Sequence, residues 1–332
     1  MVPLLRFYFH EDVRTAAVNA MPELLISAVA AVEKQHGSPP PTMAFVQELL
    51  TFLWQPLLDA MSKEPEPEVL SCMLEAAEGI ISTVSPHGLL TLEQLGGLFS
   101  VFEEVLRTSE DRRREHMQRR EQEDFDAEED EALMEELEME DDLLEQLSSC
   151  LGSVLRVYGD GALPLVERLL APIGALLDKG RTAEERRIAV CVMDDIVEHS
   201  AAGADKYMGT ILPVLLEAAR DADPTLRQCA AYGLGVAAQL RGAHVRPRSA
   251  DVLHVLGAIV GAPDAKTAGN AAATDNAVAA LGKLLEFHGE VLDGGALGCV
   301  WLGALPLQHD VAEAKYAHAQ LVRMLEASDA RC

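Results

Sequence analysis

The chain has 332 residues, 49% of them hydrophobic, and sets 27 Lys and Arg against 54 Asp and Glu for a formal charge of −27. That length serves two or three ordinary domains or one long repeat array, and the apolar share is enough to bury a core, which excludes a disordered chain. So large an acidic surplus argues against direct nucleic-acid binding, which needs a basic surface, and predicts that any large charged partner is basic.

Aromatic residues are only 5% while Leu, Ala and Glu dominate, a balance that suits helices better than strands. The cysteines, Cys72, Cys150, Cys191, Cys229, Cys299 and Cys332, are scattered without a C-x-x-C pair. They suggest neither a zinc site nor a disulfide framework and read as reduced thiols. The histidines show no H-E-x-x-H or other metal spacing, and there is no G-x-S-x-G, no P-loop and no Cys–His pair in an activating context. We therefore expect no catalytic residue, no cofactor, no metal and no enzymatic activity. The apolar start is broken by Arg6 and His10, and nowhere do 18 apolar residues follow one another uninterrupted, so neither a signal peptide nor a membrane span is expected.

In chain order, HEDVRTAAVNAMPELL from His10, EPEPEVLSCMLEAAEGII from Glu64, TAEERRIAVCVMDDIVEH from Thr182, DADPTLRQCAAYGLGVAAQL from Asp221 and KTAGNAAATDNAVAALGKLL from Lys266 each open on turn, acidic or Pro residues and run into Ala- and Leu-rich helices. The last three start about 40 residues apart, the period of HEAT or armadillo units. Between these segments lie second helices, MAFVQELLTFLWQPLLDAM, LTLEQLGGLFSVFEEVL, ALPLVERLLAPIGALLD, KYMGTILPVLLEAAR and SADVLHVLGAIVGA, apolar at roughly i, i+3, i+4, i+7. Gly, Pro or Asp stands at most joins, as in SPHG after Val84 and GAPDAKT after Val260, where they stop helices and supply turns.

The expected organisation is HEAT repeats over 1–106, an Arg-rich then acidic insertion over 107–145, and HEAT repeats over 146–332, in one continuous all-α, armadillo-like solenoid. The apolar start VPLLRFYF predicts a piece of a longer array, since terminal repeats need a polar outer face. In Asp221-Ala-Asp-Pro-Thr-Leu-Arg227 an Asp precedes a helix-opening Pro and an Arg follows six residues on, so charges of neighbouring units are placed to form a ladder; a capped helix with a surface Arg is the plainer alternative. Gly233 and Gly235 form a G-x-G inside a helix with no strand before it, which predicts close helix packing instead of phosphate binding.

Glu121 to Glu145 contains fifteen acidic residues and no basic one, more than half of the net charge. Like charges repel, so this block is expected to be mobile and solvated without a partner. Two features complicate that: its Leu133, Met134, Leu137, Met139, Leu143 and Leu144 could begin the following helix, and the Arg-rich helix end before it offers a surface to fold back upon.

FYFHEDVR with NAMPELL, the acidic EDFDAEEDE, MDDIVEH at 193–199, LRQCAAYGLGVAAQ at 226–239, TDNAVAALGKLL at 274–285 and WLGALPL from Trp301 together resemble the importin-5 (importin subunit beta-3) subfamily of importin-beta, or karyopherin-beta, nuclear transport receptors. The resemblance runs in order along nearly the whole chain and corresponds to the family's later HEAT repeats; the first repeats, with the main contacts to the GTPase Ran, fall outside it. A proline-rich insertion at 38–42 and a glycine-rich join at 289–298 depart from the family pattern. The resemblance implies a right-handed superhelical HEAT solenoid that shuttles between cytoplasm and nucleus. It implies further that such a protein carries basic cargo such as ribosomal proteins and histones, binds phenylalanine-glycine nucleoporins and releases cargo to Ran-GTP. A HEAT scaffold that organises a stable complex is the alternative.

At 100° per residue Arg187, Cys191, Asp194, Asp195 and Glu198 share one arc, opposite Ile188, Val192, Met193, Ile196 and Val197. Asp194, Asp195 and Glu198 are therefore candidates to hold a Lys- or Arg-rich segment, with Asp124, Asp126, Glu128, Glu129 and Asp130 as a second contact. The plainer reading of both is an ordinary solvated face, with Arg187 pairing its own acids.

Overall fold

The computed structural model describes residues 1–35, 41–121, 125–329 and 331. The fold is the expected all-α HEAT-repeat solenoid, and no strand occurs among the described residues. Packing divides the chain into two compact units, Met1–Ala175 and Leu176–Cys332.

The first unit comprises α1 (Glu11–Glu33), α2 (Met43–Met61), α3 (Pro67–Val84), α4 (Leu92–Arg120), α5 (Ala127–Tyr158) and the short α6 (Leu163–Val166) and α7 (Leu170–Ala175). α1, α3 and α5 pack side by side as one layer, and α2, α4, α6 and α7 cover them as a second. α1 shows the principle: Val18, Met21, Leu25 and Val29 recur every three or four residues and are all buried, so one stripe faces α3. By length and composition α1 is also apolar enough to cross a membrane; here its apolar stripe is spent on α3. Between repeats, Glu78 of α3 accepts hydrogen bonds from Gln146, Ser149 and Ser153 of α5 at 2.7–3.1 Å.

The second unit comprises α8 (Ala183–His199), α9 (Ala201–Ala218), α10 (Pro224–Leu240), the single turn α11 (Gly242–Val245), α12 (Ser249–Val260), α13 (Ala271–His288), α14 (Gly294–Ala304) and α15 (Val311–Glu326). α8, α10, α13 and α15 stack as one layer, with α9, α12 and α14 behind. The expected ladder forms here with one rung between opposite charges and two that use a neutral Asn. Arg186 of α8 pairs with Asp221 before α10, Arg227 of α10 donates to Asn270 before α13 and to the Asp221 and Ala222 carbonyls, and Asn276 of α13 donates to Asp310 before α15 at 2.9 Å. Asp223 caps α10 through the Thr225 and Leu226 amides, leaving Pro224 at a position where its missing N–H costs nothing.

The G-x-G is a packing device. A Cβ on Gly235 would stand 3.0 Å from the Ala280 Cβ of α13, and one on Gly233 would overlap the Asp194 carboxyl of α8.

The insertion expected over 107–145 is carried by two helices. Residues through Arg120 complete α4 and those from Ala127 open α5. The acids do not keep the chain apart because Arg and His side chains stand across from them: Arg112–Glu140 at 2.6 Å, His116–Glu136 at 3.1 Å, Arg119–Glu136 at 2.8 Å and Arg120–Asp130 at 3.3 Å. Leu133, Leu143 and Leu144 of α5 are buried.

Candidate partner-binding surface

α8 begins with a capping box: the Thr182 hydroxyl accepts from the Glu185 amide at 3.1 Å and the Glu185 carboxylate from the Thr182 amide at 2.9 Å. That fixes the register of everything downstream. Ile188, Val192, Ile196 and Val197 are buried, as the arc predicts.

Asp194 is not on the exposed strip. It is only 5% exposed, wedged against Gly233 of α10, and its Oδ1 has no hydrogen-bond partner among the described residues. Burial first, then the neighbouring Cys191, Asp195 and Glu198, push its carboxyl well above the usual range, so it favours the neutral acid. The physical reason is the stack: a helix in a repeat layer is covered on its flank by the next repeat as well as on its back by its partner, so a 100° wheel drawn on one apolar face misplaces flanking residues.

Asp195 and Glu198 do reach the surface, at 23% and 32% side-chain exposure. Both lie near His199, at 3.9 and 4.0 Å, and Glu198 accepts from the Tyr232 hydroxyl at 2.6 Å. Burial, and next that bond to Glu198, hold the Tyr232 phenol protonated well above its ordinary range.

From Tyr232 the layer continues as a row of rings and charges that the sequence reading missed. The Lys283 ammonium lies 5.4 Å from the Tyr232 ring centroid and 4.9 Å from that of Tyr316. It pairs with Glu313 at 3.0 Å while only 5% of its side chain is exposed. Arg323 then sits over Tyr316 at 5.8 Å and pairs with Glu286 at 3.3 Å. The one signal in the sequence was Lys283 itself, the single Lys or Arg of α13. Glu198 and Glu286 flank this row at 32% and 30% side-chain exposure, and surface carboxylates there, with Asp195 beside them on α8, suit cationic side chains through charge-assisted hydrogen bonds.

The acids proposed for a second contact are divided by their own helix. Asp126 is the N-cap of α5, accepting from the Glu128 and Glu129 amides at 2.9 and 3.0 Å, and Glu129 completes the box by accepting from the Asp126 amide. Asp130 pairs with Arg120. Glu128 is exposed, and Asp124 lies outside the described residues. Two of these side chains, Asp126 and Glu129, therefore serve the helix start, where negative charge is favourable in any case.

A surface cleft of about 700 Å³ in the second unit brings Asp275, Cys299 and His309 to one place. The Asp275 Oδ2 there already accepts the amides of 308, 309 and 310 at 2.6–3.1 Å, so it anchors a loop. A second, more apolar cleft of about 480 Å³ lies between α12 and α14, lined by Leu253, Ala258, Leu281, Leu297 and Val300.

Comparison with known proteins agrees with this architecture. Residues 69–179 match the family model described as Importin repeat 6. The chain is 25% identical over 316 residues to a probable importin-5 homolog of Dictyostelium discoideum, covering 93% of this chain and 29% of that protein. It is 24% identical over 331 residues to importin subunit beta-3 of Saccharomyces cerevisiae (98% and 29%) and 27% identical over 308 residues to human importin-4 (92% and 27%). The chain thus spans less than a third of the length of these relatives. Among solved structures, Kap121p superposes with a TM-score of 0.80 at 22% identity, over 99% of this chain and 28% of that one. Kap121p bound to RanGTP gives 0.79 over 98% of this chain.

Proposed function

The chain resembles the later HEAT repeats of importin-5-type nuclear transport receptors, and from that premise we propose that it is a cargo-binding segment of such a receptor. It binds partners and does no catalysis, and it holds a Lys- and Arg-rich nuclear-localisation segment on the α8–α10–α13–α15 layer during Ran-dependent import. The observation that carries this reading is the coverage of more than nine-tenths of the chain by relatives named importins. Structures of Kap121p with RanGTP, Ste12p and Pho4p give the same fold with both kinds of partner bound.

On this reading Asp195 and Glu198 meet cargo cations, while Asp194 does not. The exposed acids of α5, Glu128 among them, serve a separate basic segment. The apolar cleft between α12 and α14 suits the phenyl rings of phenylalanine-glycine repeats, and shuttling between cytoplasm and nucleus follows from the same role.

Titration calorimetry with a Lys- and Arg-rich peptide tests the proposal. Affinity is expected to fall steeply as added salt shortens the Debye length from about 10 Å at 0.1 M towards 3 Å at 1 M. It is also expected to drop about tenfold or more in an Asp195→Asn, Glu198→Gln variant of unchanged helical content. Salt-independent binding, or wild-type affinity in the variant, would remove this face from the cargo surface.

A further inference from the structure

Two thiols face each other across successive repeats. Cys191 of α8 and Cys229 of α10 are 38 residues apart in sequence, yet their Sγ atoms lie 3.6 Å apart. Both are partly exposed, whereas Cys150 is buried and Cys72 and Cys299 stand on α3 and α14. We propose that Cys191 and Cys229 form a redox-modifiable dithiol, which a peroxide converts to an inter-repeat disulfide. This inference does not rest on the transport reading.

The geometry is set by small residues. One turn beyond each cysteine stand Asp194 and Gly233, and the missing Cβ of Gly233 lets the Asp194 carboxyl lie against α10. That close approach is what brings the two thiol-bearing positions together. From 3.6 Å the sulfurs must close by about 1.5 Å to reach the roughly 2.05 Å of a disulfide.

The chemistry follows from the surroundings. Contact with Cys229 and then burial raise the Cys191 thiol, against which Arg187 acts the other way. Cys191 therefore keeps its proton at neutral pH and reacts slowly with oxidant, since the thiolate is the nucleophile. In the first step one thiol attacks the peroxide; the O–O bond breaks, a sulfenic acid forms and one water leaves. The facing thiol then attacks that sulfur, the S–S bond forms, the S–OH bond breaks and a second water leaves. Two thiols are oxidised and one peroxide is reduced. Because the second thiol is already in place, condensation to the disulfide outruns further oxidation to sulfinic acid. The product ties α8 to α10 and fixes one inter-repeat angle beside Asp195 and Glu198.

Peptide mapping reads this directly, because trypsin leaves the two cysteines on separate peptides, 188–206 and 228–241, each with no other cysteine. The full chain is treated with hydrogen peroxide, blocked with iodoacetamide and digested without reductant. We expect the two peptides joined, about 2 Da lighter than their sum and separated by dithiothreitol. We also expect a melting temperature several degrees higher before reduction. Cys191→Ser and Cys229→Ser should each lose the linked peptide and instead accumulate sulfinic acid on the remaining thiol. As a measurement that needs no variant, phenylarsine oxide, which bridges paired thiols, should protect both peptides of the reduced wild type from alkylation. Alkylation of both thiols after peroxide, sulfinic acid at Cys191 or Cys229 in the wild type without the linked peptide, or failure of the arsenical to protect would each overturn the proposal.

Discussion

The acids of α5 and those of α8 carry the same chemistry and meet different neighbours. Along α5, Asp130 meets Arg120, Glu136 meets both Arg119 and His116, and Glu140 meets Arg112 of α4, so a block of like charge becomes half of a helical pair. The acids of α8 are set differently. Asp194 is set against Gly233 and favours its proton, while Glu198 takes the Tyr232 hydroxyl and Asp195 stays at the surface beside His199. What an acidic residue does in a repeat array is thus decided by the residue that the next helix places across from it, and charge density along its own helix says little.

The largest effect should come from filling the space that seats Asp194. Gly233→Val puts a branched side chain where even a Cβ overlaps that carboxyl, and overpacking of this kind costs about 1–3 kcal/mol or more. Urea unfolding should show the loss, and the Asp194→Ala background should recover part of it, because the two sites are in contact. Additive losses would mean that Asp194 does not occupy that space.

Arg112→Ala comes next. It leaves Glu140, 6% exposed, without its cation, and removing one partner of a nearly buried pair should cost about 2 kcal/mol. Glu140→Gln in the same chain should restore much of it, which a purely steric role for Arg112 would not allow.

A pH series separates the two helices further. In the folded chain Asp194 holds its proton above the pH at which it ionises when unfolded, near 3.8. The folded state then binds more protons, so this residue's contribution is complete below that pH and is lost as pH rises through the folded value. Asp194→Asn should flatten the decline, with a gain over wild type at pH 8 on the order of 1 kcal/mol. A parallel decline in wild type and variant would show that Asp194 is ionised throughout.

Least sensitive should be the outer pairs of α4 and α5. Asp130→Asn breaks a contact whose partners are about half exposed, and thermal unfolding should register less than about 0.5 kcal/mol, smaller still in high salt.

Sequence alone determined the class and the layering. The five segments opening at His10, Glu64, Thr182, Asp221 and Lys266 become α1, α3, α8, α10 and α13, all on one side of their units, because helical periodicity and turn residues act within a few positions along the chain. The Asp221–Arg227 ladder and the packing role of Gly233 and Gly235 were legible for the same reason. The pairing of the acidic block with the Arg-rich end of α4 was open to the same reading, whereas tertiary structure alone decided that Asp194 is buried, that Lys283 settles between Tyr232 and Tyr316, and that Cys191 meets Cys229 across 38 residues. Each of these depends on which residue another helix presents, tens of positions away in sequence, which no local period encodes.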